Sequence, residues 1–336
     1  MRTRLPIREF PGRDDAAFLS ELVASGRPAV LRGLIEHWPS VREARISPVA
    51  EVSYLRRFDS GAPVDAIMTP PEVAGRVFYN DTFSGFNFIR NRLTISAVAE
   101  QVLRYSAFQR APAVAAQSAL ARDCLPGFTE ENRLAGLDPA ISARIWLGNA
   151  ITTPTHLDEW NNIGCVVSGR RRFTLFPPAQ VVNLYIGPLD FAPTGAPMSL
   201  VRLHAPDFAR FPRFREALAA SVSAELGAGD AIFIPALWWH HVQSLDVCNI
   251  LINYWWNGPP RAHDDRDCLL HALLTLRRLP ASQRAAWSEV FQHYVFGERD
   301  ASNAHIPPSR RGVLGELDEA ALHEQRRLIA ARLAGD

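Results

Sequence analysis

Apolar and polar positions divide the chain into three zones with different periods. Near the start, Asp14 and Asp15 precede Phe18, Leu19, Leu22 and Val23, which share one face at helical spacing, and Gly26 follows; this predicts a capped helix. Pro28 to Gly33 reads as a short buried strand. From Ser53 to Asn91 the pattern is irregular and rich in aromatic, Gly and Asn residues, which predicts strands and loops. Thr94 then opens a helix carrying Ile95, Val98, Val102 and Leu103 on one side.

Between about Arg144 and Trp256 the period shortens to runs of β-branched and aromatic residues separated by Gly, Pro and polar turns. The runs are Arg144–Leu147, the segment Thr155 to Asn162, Gly164–Val167, Arg172–Phe176, Val222–Leu226, Ala231–Ile234, His241–Leu245 and Asn249–Trp255, with an insertion from about Asn183 to Arg215. That number of strands suits a double-stranded β-helix, so the expected fold is mainly β with flanking α elements. After Pro259-Pro260 the helical period returns. Leu269, Leu270, Leu273, Leu274 and Leu276 form a stripe, Ser282 is placed to cap a helix through Tyr294, and a last helix follows Asp318. Their apolar faces need cover, either from the barrel's own flank or from a second copy in a homodimer. The expected division is 1–142 as an α/β elaboration, 143–258 as the β-helix with its 183–215 insertion, and 259–336 as a helical segment.

Composition narrows the function classes. Of 336 residues 47% are hydrophobic, enough for a sizeable core, and the formal net charge of +1 offers no general attraction to nucleic acid or an anionic membrane. Cys124, Cys165, Cys248 and Cys268 are widely spaced, without a zinc or disulfide pattern. With no apolar leader and no run near the roughly twenty residues that span a bilayer, the expectation is a cytoplasmic protein. All 36 basic residues are arginine, so lysine chemistry is excluded.

The candidate chemistry lies in two stretches. His156-Leu157-Asp158 would place an imidazole and a carboxylate on the same face of an extended strand, and Trp238-Trp239-His240-His241 adds a second imidazole some eighty residues later. Two His and one carboxylate are the set that holds Fe(II) with positions left open. Only one of His240 and His241 can face the interior of a regular strand. His263-Asp264-Asp265 repeats the spacing, but it follows two prolines in charged sequence and reads as a solvated loop.

Thr153 to Asn162, Gly169-Arg170-Arg171-Arg172-Phe173 through Pro178, Gly229 to Pro235 with Trp238 to His241, Ala205 to Pro212 and Asn253-Tyr254-Trp255 together resemble the JmjC oxygenases of the cupin type. The nearest branch by these motifs is the one containing the asparaginyl hydroxylase that inhibits hypoxia-inducible factor. The resemblance implies a JmjC-type jelly roll and an Fe(II)- and 2-oxoglutarate-dependent dioxygenase that hydroxylates a protein or peptide side chain. It selects His240 over His241 as the ligand beside His156 and Asp158. It puts Thr153, Asn162, Arg171 and Asn253 around 2-oxoglutarate, and Trp160 and Trp255 at the substrate pocket. Arg171 stands where the branch has a lysine, and a tyrosine that contacts the same carboxylate has no counterpart near Ala107-Phe108-Gln109. The remaining readings are a metal cupin enzyme that does without 2-oxoglutarate and a non-catalytic binding module.

Overall fold

The computed structural model describes residues 5–256, 264–298 and 302–334, and the chain divides into two compact units, Met1–Pro260 and Arg261–Asp336. The first unit is built on two sheets. One orders β1 (Leu5–Pro6), β11 (Val222–Leu226), β10 (Arg171–Phe176), β13 (Trp239–Ser244) and β8 (Thr152–His156). The other orders β2 (Arg8–Pro11), β3 (Ala29–Arg32), β12 (Ala231–Ile234), β9 (Asn161–Ser168), β14 (Asn249–Trp256), β7 (Ala143–Gly148), β6 (Ala113–Leu120), β4 (Val64–Thr69) and β5 (Ile89–Leu93). From β7 to β14 the chain passes back and forth between the sheets, four strands in each, which is the double-stranded β-helix expected from the strand runs.

The alternation of apolar residues explains the closure. Val166, Phe173, Leu175, Ile232, Ile234 and Leu251 point between the sheets and form one buried cluster with Ile7, Val30 and Leu226. Each such side chain contributes roughly 1.5–3 kcal/mol by leaving water. The outer face of the larger sheet is equally apolar and is covered by helices α1 (Ala16–Ser25), α2 (Pro39–Ile46), α3 (Pro48–Arg56) and α4 (Ile95–Tyr105), with Trp38, Leu55, Val98 and Phe128 among the fully buried side chains. Two short helices, α5 (Ala121–Cys124) and α6 (Phe128–Glu131), complete this layer.

The predicted caps of α1 and α4 are in place. Asp15 accepts the Phe18 N–H, Thr94 accepts the Ala97 N–H, and Gly26 closes α1 at φ 59°. The segment from Ser53 differs from its irregular reading at its start, because Ser53 lies inside α3. Its signal is Ser47-Pro48: the serine accepts the Ala50 N–H and the proline occupies the first turn. Strands β2 to β6, all before residue 143, pair directly with the β-helix strands through β3–β12 and β6–β7, so the N-terminal sequence extends the barrel wall. The insertion forms its own core, in which Leu184, Val201, Leu203, Phe211 and Phe214 of α7 (Phe214–Ala220) bury Phe176 and Trp239.

The second unit contains α8 (Asp264–Thr275), α9 (Ala281–Tyr294) and α10 (Glu319–Ala334). Asp318 accepts the Ala321 N–H at 2.8 Å and starts α10 as expected. The residue flanking α9 is Pro280, not Ser282, so the helix begins one position before the serine that was expected to cap it. Asp264 and Asp265 open α8, which corrects their reading as loop; His263 lies outside the described residues. The four cysteines are free, three buried and Cys268 exposed. No helix among the described residues is long and apolar enough to cross a membrane.

Candidate metal centre

His156, Asp158 and His240 converge, with one possible ligand atom from each lying within 4.8 Å of the others. Among the described residues this is the one such group of His, Cys, Asp or Glu. His156 ends β8 and faces His240 of β13 as a direct cross-strand pair, their rings 4.2 Å apart. Each imidazole is turned the same way. The Nδ1 of His156 lies 2.8 Å from the Pro154 carbonyl, and that of His240 lies 3.0 Å from the Trp238 carbonyl. A carbonyl at Nδ1 fixes the proton there and leaves Nε2 with its lone pair for a metal.

Asp158 reaches the site by a different route from the expected strand alternation. β8 stops at His156, and Asp158 sits in the connection to β9, held by the Leu237 N–H, which donates to its backbone carbonyl at 2.9 Å. Leu237 itself adopts φ 64°, a left-handed conformation unusual for a branched side chain, in the turn that follows Pro235. Asn161 reinforces the turn by accepting the Ala236 N–H at 3.1 Å. The two halves of the ligand set are therefore tied together through backbone as well as side chains. Asp158 Oδ2 lies 3.5 Å from His240 Nε2. The three donors are near enough to one another that a single divalent ion could gather them.

Burial sets the charges. It pulls His156 down to about 4, helped by the nearby His240, so this ring is neutral at physiological pH. Burial opposes ionisation of Asp158 too, but the hydrogen bond and charge of His240, followed by His156, outweigh it and hold the carboxyl below its ordinary range. For His240 burial favours the neutral ring, and Asp158 outweighs it and raises the imidazole. The carboxylate thus lies ionised between two imidazoles, a donor set suited to a divalent cation.

Strand register places the other sequence candidates. His240 pairs with Leu175, Val242 with Phe173 and Ser244 with Arg171, so Arg171 points to the same interior face as His240. Arg170 and Arg172 face outward onto Asp246 and Glu225. A bulge in β8 pairs Val242 with Thr153 where an unbroken register would give Pro154, and so turns Thr153 to the same side as His156. From the opposite sheet, Asn253 and Trp255 of β14 and Asn162 of β9 share the inner face. Asn162 Nδ2 lies 3.4 Å from Asp158 Oδ2, Asn253 donates to Asn162 Oδ1 at 3.1 Å, and the Trp146 indole N–H donates to Asn253 at 2.7 Å. Trp160 and Trp255 pack with ring centroids 6.2 Å apart, and Trp146 meets Trp255 edge to face.

Arg171 is 7% exposed, with Nε unpartnered and Nη2 only 3.5 Å from the Trp146 carbonyl. Burial alone lowers it to about 10, which leaves it charged at neutral pH. Among the described residues no carboxylate balances that charge, so the interior favours an anion beside the candidate metal ligands.

Two features went beyond the sequence reading. Trp146 supplies both the carbonyl facing Arg171 and the N–H that fixes Asn253; its only sequence signal is its place on an inward strand position. His241 is as buried as its neighbour, at 5% against 3% exposed, but turns away from the metal ligands towards His204 beneath the insertion. Phe108 is 60% exposed, and Tyr105 at the end of α4 packs on the helical core.

Residues 15–262 match the cupin-like domain family. Among curated proteins the chain is 26% identical over 243 residues to lysine-specific demethylase 8 of Xenopus tropicalis, covering 71% of this chain and 50% of that protein. It is 26% identical over 269 residues to the human bifunctional peptidase and (3S)-lysyl hydroxylase JMJD7, covering 71% of this chain and 80% of the relative. Over 118 residues it is 37% identical to lysine-specific demethylase JMJ31 of Arabidopsis thaliana, which covers 35% of this chain and 21% of that protein. The chain thus spans between a fifth and a half of the length of several of these relatives. The narrower likeness to the asparaginyl hydroxylase rests on the motifs alone.

Proposed function

We propose, from the premise that the chain belongs to the cupin-like domain family, that it is an Fe(II)- and 2-oxoglutarate-dependent oxygenase that hydroxylates a side chain of a protein or peptide. The observation that carries the reading is a buried His–Asp–His set facing the same interior as a buried, uncountered arginine. His156, Asp158 and His240 would hold the iron, with Nε2 of each imidazole as donor. Arg171 would grip the distal carboxylate of 2-oxoglutarate, for which a guanidinium offers two parallel donors, and Thr153 would add a hydroxyl from the same face. When bound, iron and 2-oxoglutarate together supply oxygen activation coupled to decarboxylation to succinate.

The rest of the chemistry falls to the protein. Asn162, within reach of Asp158 and anchored by Asn253 and Trp146, keeps the carboxylate from rotating. Trp160 and Trp255 form an apolar wall that excludes water from the reacting side. Relatives named as a lysyl hydroxylase and as lysine demethylases support a protein substrate. We assign the protein to the cytoplasm, and its C-terminal helices to self-association, since Leu274, Trp287 and Tyr294 are exposed.

The deciding experiment is succinate release by purified protein with Fe(II) and 2-oxoglutarate, together with calorimetric titration of 2-oxoglutarate into wild type and Arg171→Ala. Metal-dependent binding that the substitution removes supports the reading. Metal binding without 2-oxoglutarate binding points to a metal cupin of another chemistry, and no metal binding points to a non-catalytic module.

A further inference from the structure

Arg144 stands on β7 directly opposite Asn253 of β14, so its side chain shares the inner face with Asn253 and Trp255. Its guanidinium lies over the Trp255 ring at 5.3 Å from the centroid, and Trp255 in turn packs on Trp160, two residues after Asp158. Cation, indole and indole thus form one row that leads to the candidate metal ligands. Strand β6 fixes the arginine from its other side. Nη1 donates to the Ser118 carbonyl at 2.9 Å and to the Ser118 hydroxyl at 3.3 Å. Ser118 adopts φ 48°, in the left-handed region that serine rarely enters, where β6 carries an extra residue between Ala116 and Ala119. A strained residue therefore holds the guanidinium in one place.

Held so, the cation lacks a countercharge. Arg32 pairs with Glu9 and Asp230, and Arg170 with Asp246, whereas among the described residues Arg144 forms no ion pair. The one carboxylate that acts on it is that of Asp123, which already pairs with Arg122 at 3.6 Å. Burial and then Arg122 lower Arg144 from the ordinary arginine value, and Asp123 opposes them least. Unlike Arg171, whose Nε is buried without a partner, the half-buried Arg144 has no nitrogen in that state, so Nε and Nη2 face solvent on the inner side. A guanidinium laid flat on an indole still presents its edge, and the edge is what a carboxylate meets.

We infer that Arg144 is a specificity residue that binds a carboxylate side chain of the peptide substrate. Arg144 and Asn162, the neighbour of Asp158, lie on β7 and β9 with β14 between them, a separation of roughly 10 Å across two strand spacings. An extended peptide advances about 3.3 Å per residue, so the acidic residue stands within about three positions of the one oxidised. The inference rests on the protein-substrate reading above and names what that substrate must carry.

The test is fluorescence anisotropy with labelled oligo-glutamate, oligo-serine and oligo-lysine peptides and a short oligo-thymidylate. The full chain is used with Mn(II) and saturating 2-oxoglutarate, which occupies Arg171. Oligo-glutamate should bind most tightly. Arg144→Met keeps an apolar stem over Trp255 without the charge, and should weaken oligo-glutamate by about tenfold or more while leaving oligo-serine unchanged. Arg144→Gln, which can still donate to Ser118, should do the same and carries the test if Arg144→Met melts early. Arg104→Gln on α4 should change nothing. Equal binding of oligo-glutamate and oligo-serine, a preference that survives both Arg144 substitutions, or equal loss with Arg104→Gln overturns the subsite. Tighter binding of oligo-thymidylate overturns it as well, in favour of a phosphate backbone. A preference that Arg144→Met removes, in a protein that fails to bind 2-oxoglutarate, would leave the subsite standing and remove only the oxygenase reading.

Discussion

Asn253 on β14 donates its side-chain N–H to Asn162 Oδ1 on β9 at 3.1 Å, although the residue directly opposite Asn253 is Gly164. The contact is a diagonal one across the sheet. It links Trp146 to the carboxylate of the metal site in one line of hydrogen bonds.

Removing that link should cost stability and metal affinity together. Asn253→Leu leaves the Trp146 N–H and Asn162 Oδ1 unpaired in a site where Asn253 is 2% exposed, at about 1–3 kcal/mol for each buried group. Denaturant unfolding should show the first effect, and competition with a chelator a 10–100-fold loss of Mn(II) affinity. Asn253→Leu with unchanged metal affinity would reduce the relay to packing.

Arg171→Met gives a signature of opposite sign in two states. Without ligand the variant should be at least as stable as wild type, by up to ~1–2 kcal/mol, because a buried uncompensated cation is replaced by an apolar chain of similar length. The rise in melting temperature that 2-oxoglutarate gives the wild type should vanish. Thermal scans with and without 2-oxoglutarate check both halves at once.

Leu237 separates backbone from side-chain effects at the metal. Leu237→Gly suits φ 64° and should keep metal binding with stability unchanged or higher by ~0.5–1 kcal/mol. Leu237→Pro cannot adopt that angle and has no N–H for the Asp158 carbonyl, so metal affinity should fall at least ~10-fold. Equal affinities in the two variants would mean that this turn does not position Asp158.

Glu51 makes stability depend on pH. It is fully buried on α3 with neither oxygen hydrogen-bonded to a side chain or backbone donor of good geometry, and burial, with Glu43 adding to it, raises its carboxyl well above the ordinary value. The folded state therefore binds the proton more tightly than the unfolded chain. Its stabilising share is full below the unfolded value near 4.3 and is lost as pH rises towards the folded one. Glu51→Gln should match wild type near pH 4 and exceed it increasingly above, by up to ~1.4 kcal/mol per pH unit in that window. Urea unfolding between pH 5 and 8 measures the gap, and a constant difference would mean that Glu51 is not neutral in the fold.

The periodic parts of the fold were legible before any coordinates. The β-helix strands, the caps at Asp15 and Thr94 and the helix after Asp318 follow from local rules that the sequence states directly: alternation, capping oxygens and a closing glycine. His156, Asp158 and a histidine at 240 or 241 could be named from residue types and spacing, and the resemblance to the JmjC oxygenases chose His240. Where the reading failed, the missing information was contact between distant residues. Asp158 joins His156 through a turn held by Leu237, seventy-nine positions away, and no alternation rule could show that. Thr153 turns inward because of a bulge, which local sequence does not show. The sequence by itself determined which side chains can bind metal, anion and apolar surface. Tertiary structure decided which of them share a cavity and which charges stay uncompensated, since both depend on register and burial across strands far apart in the chain.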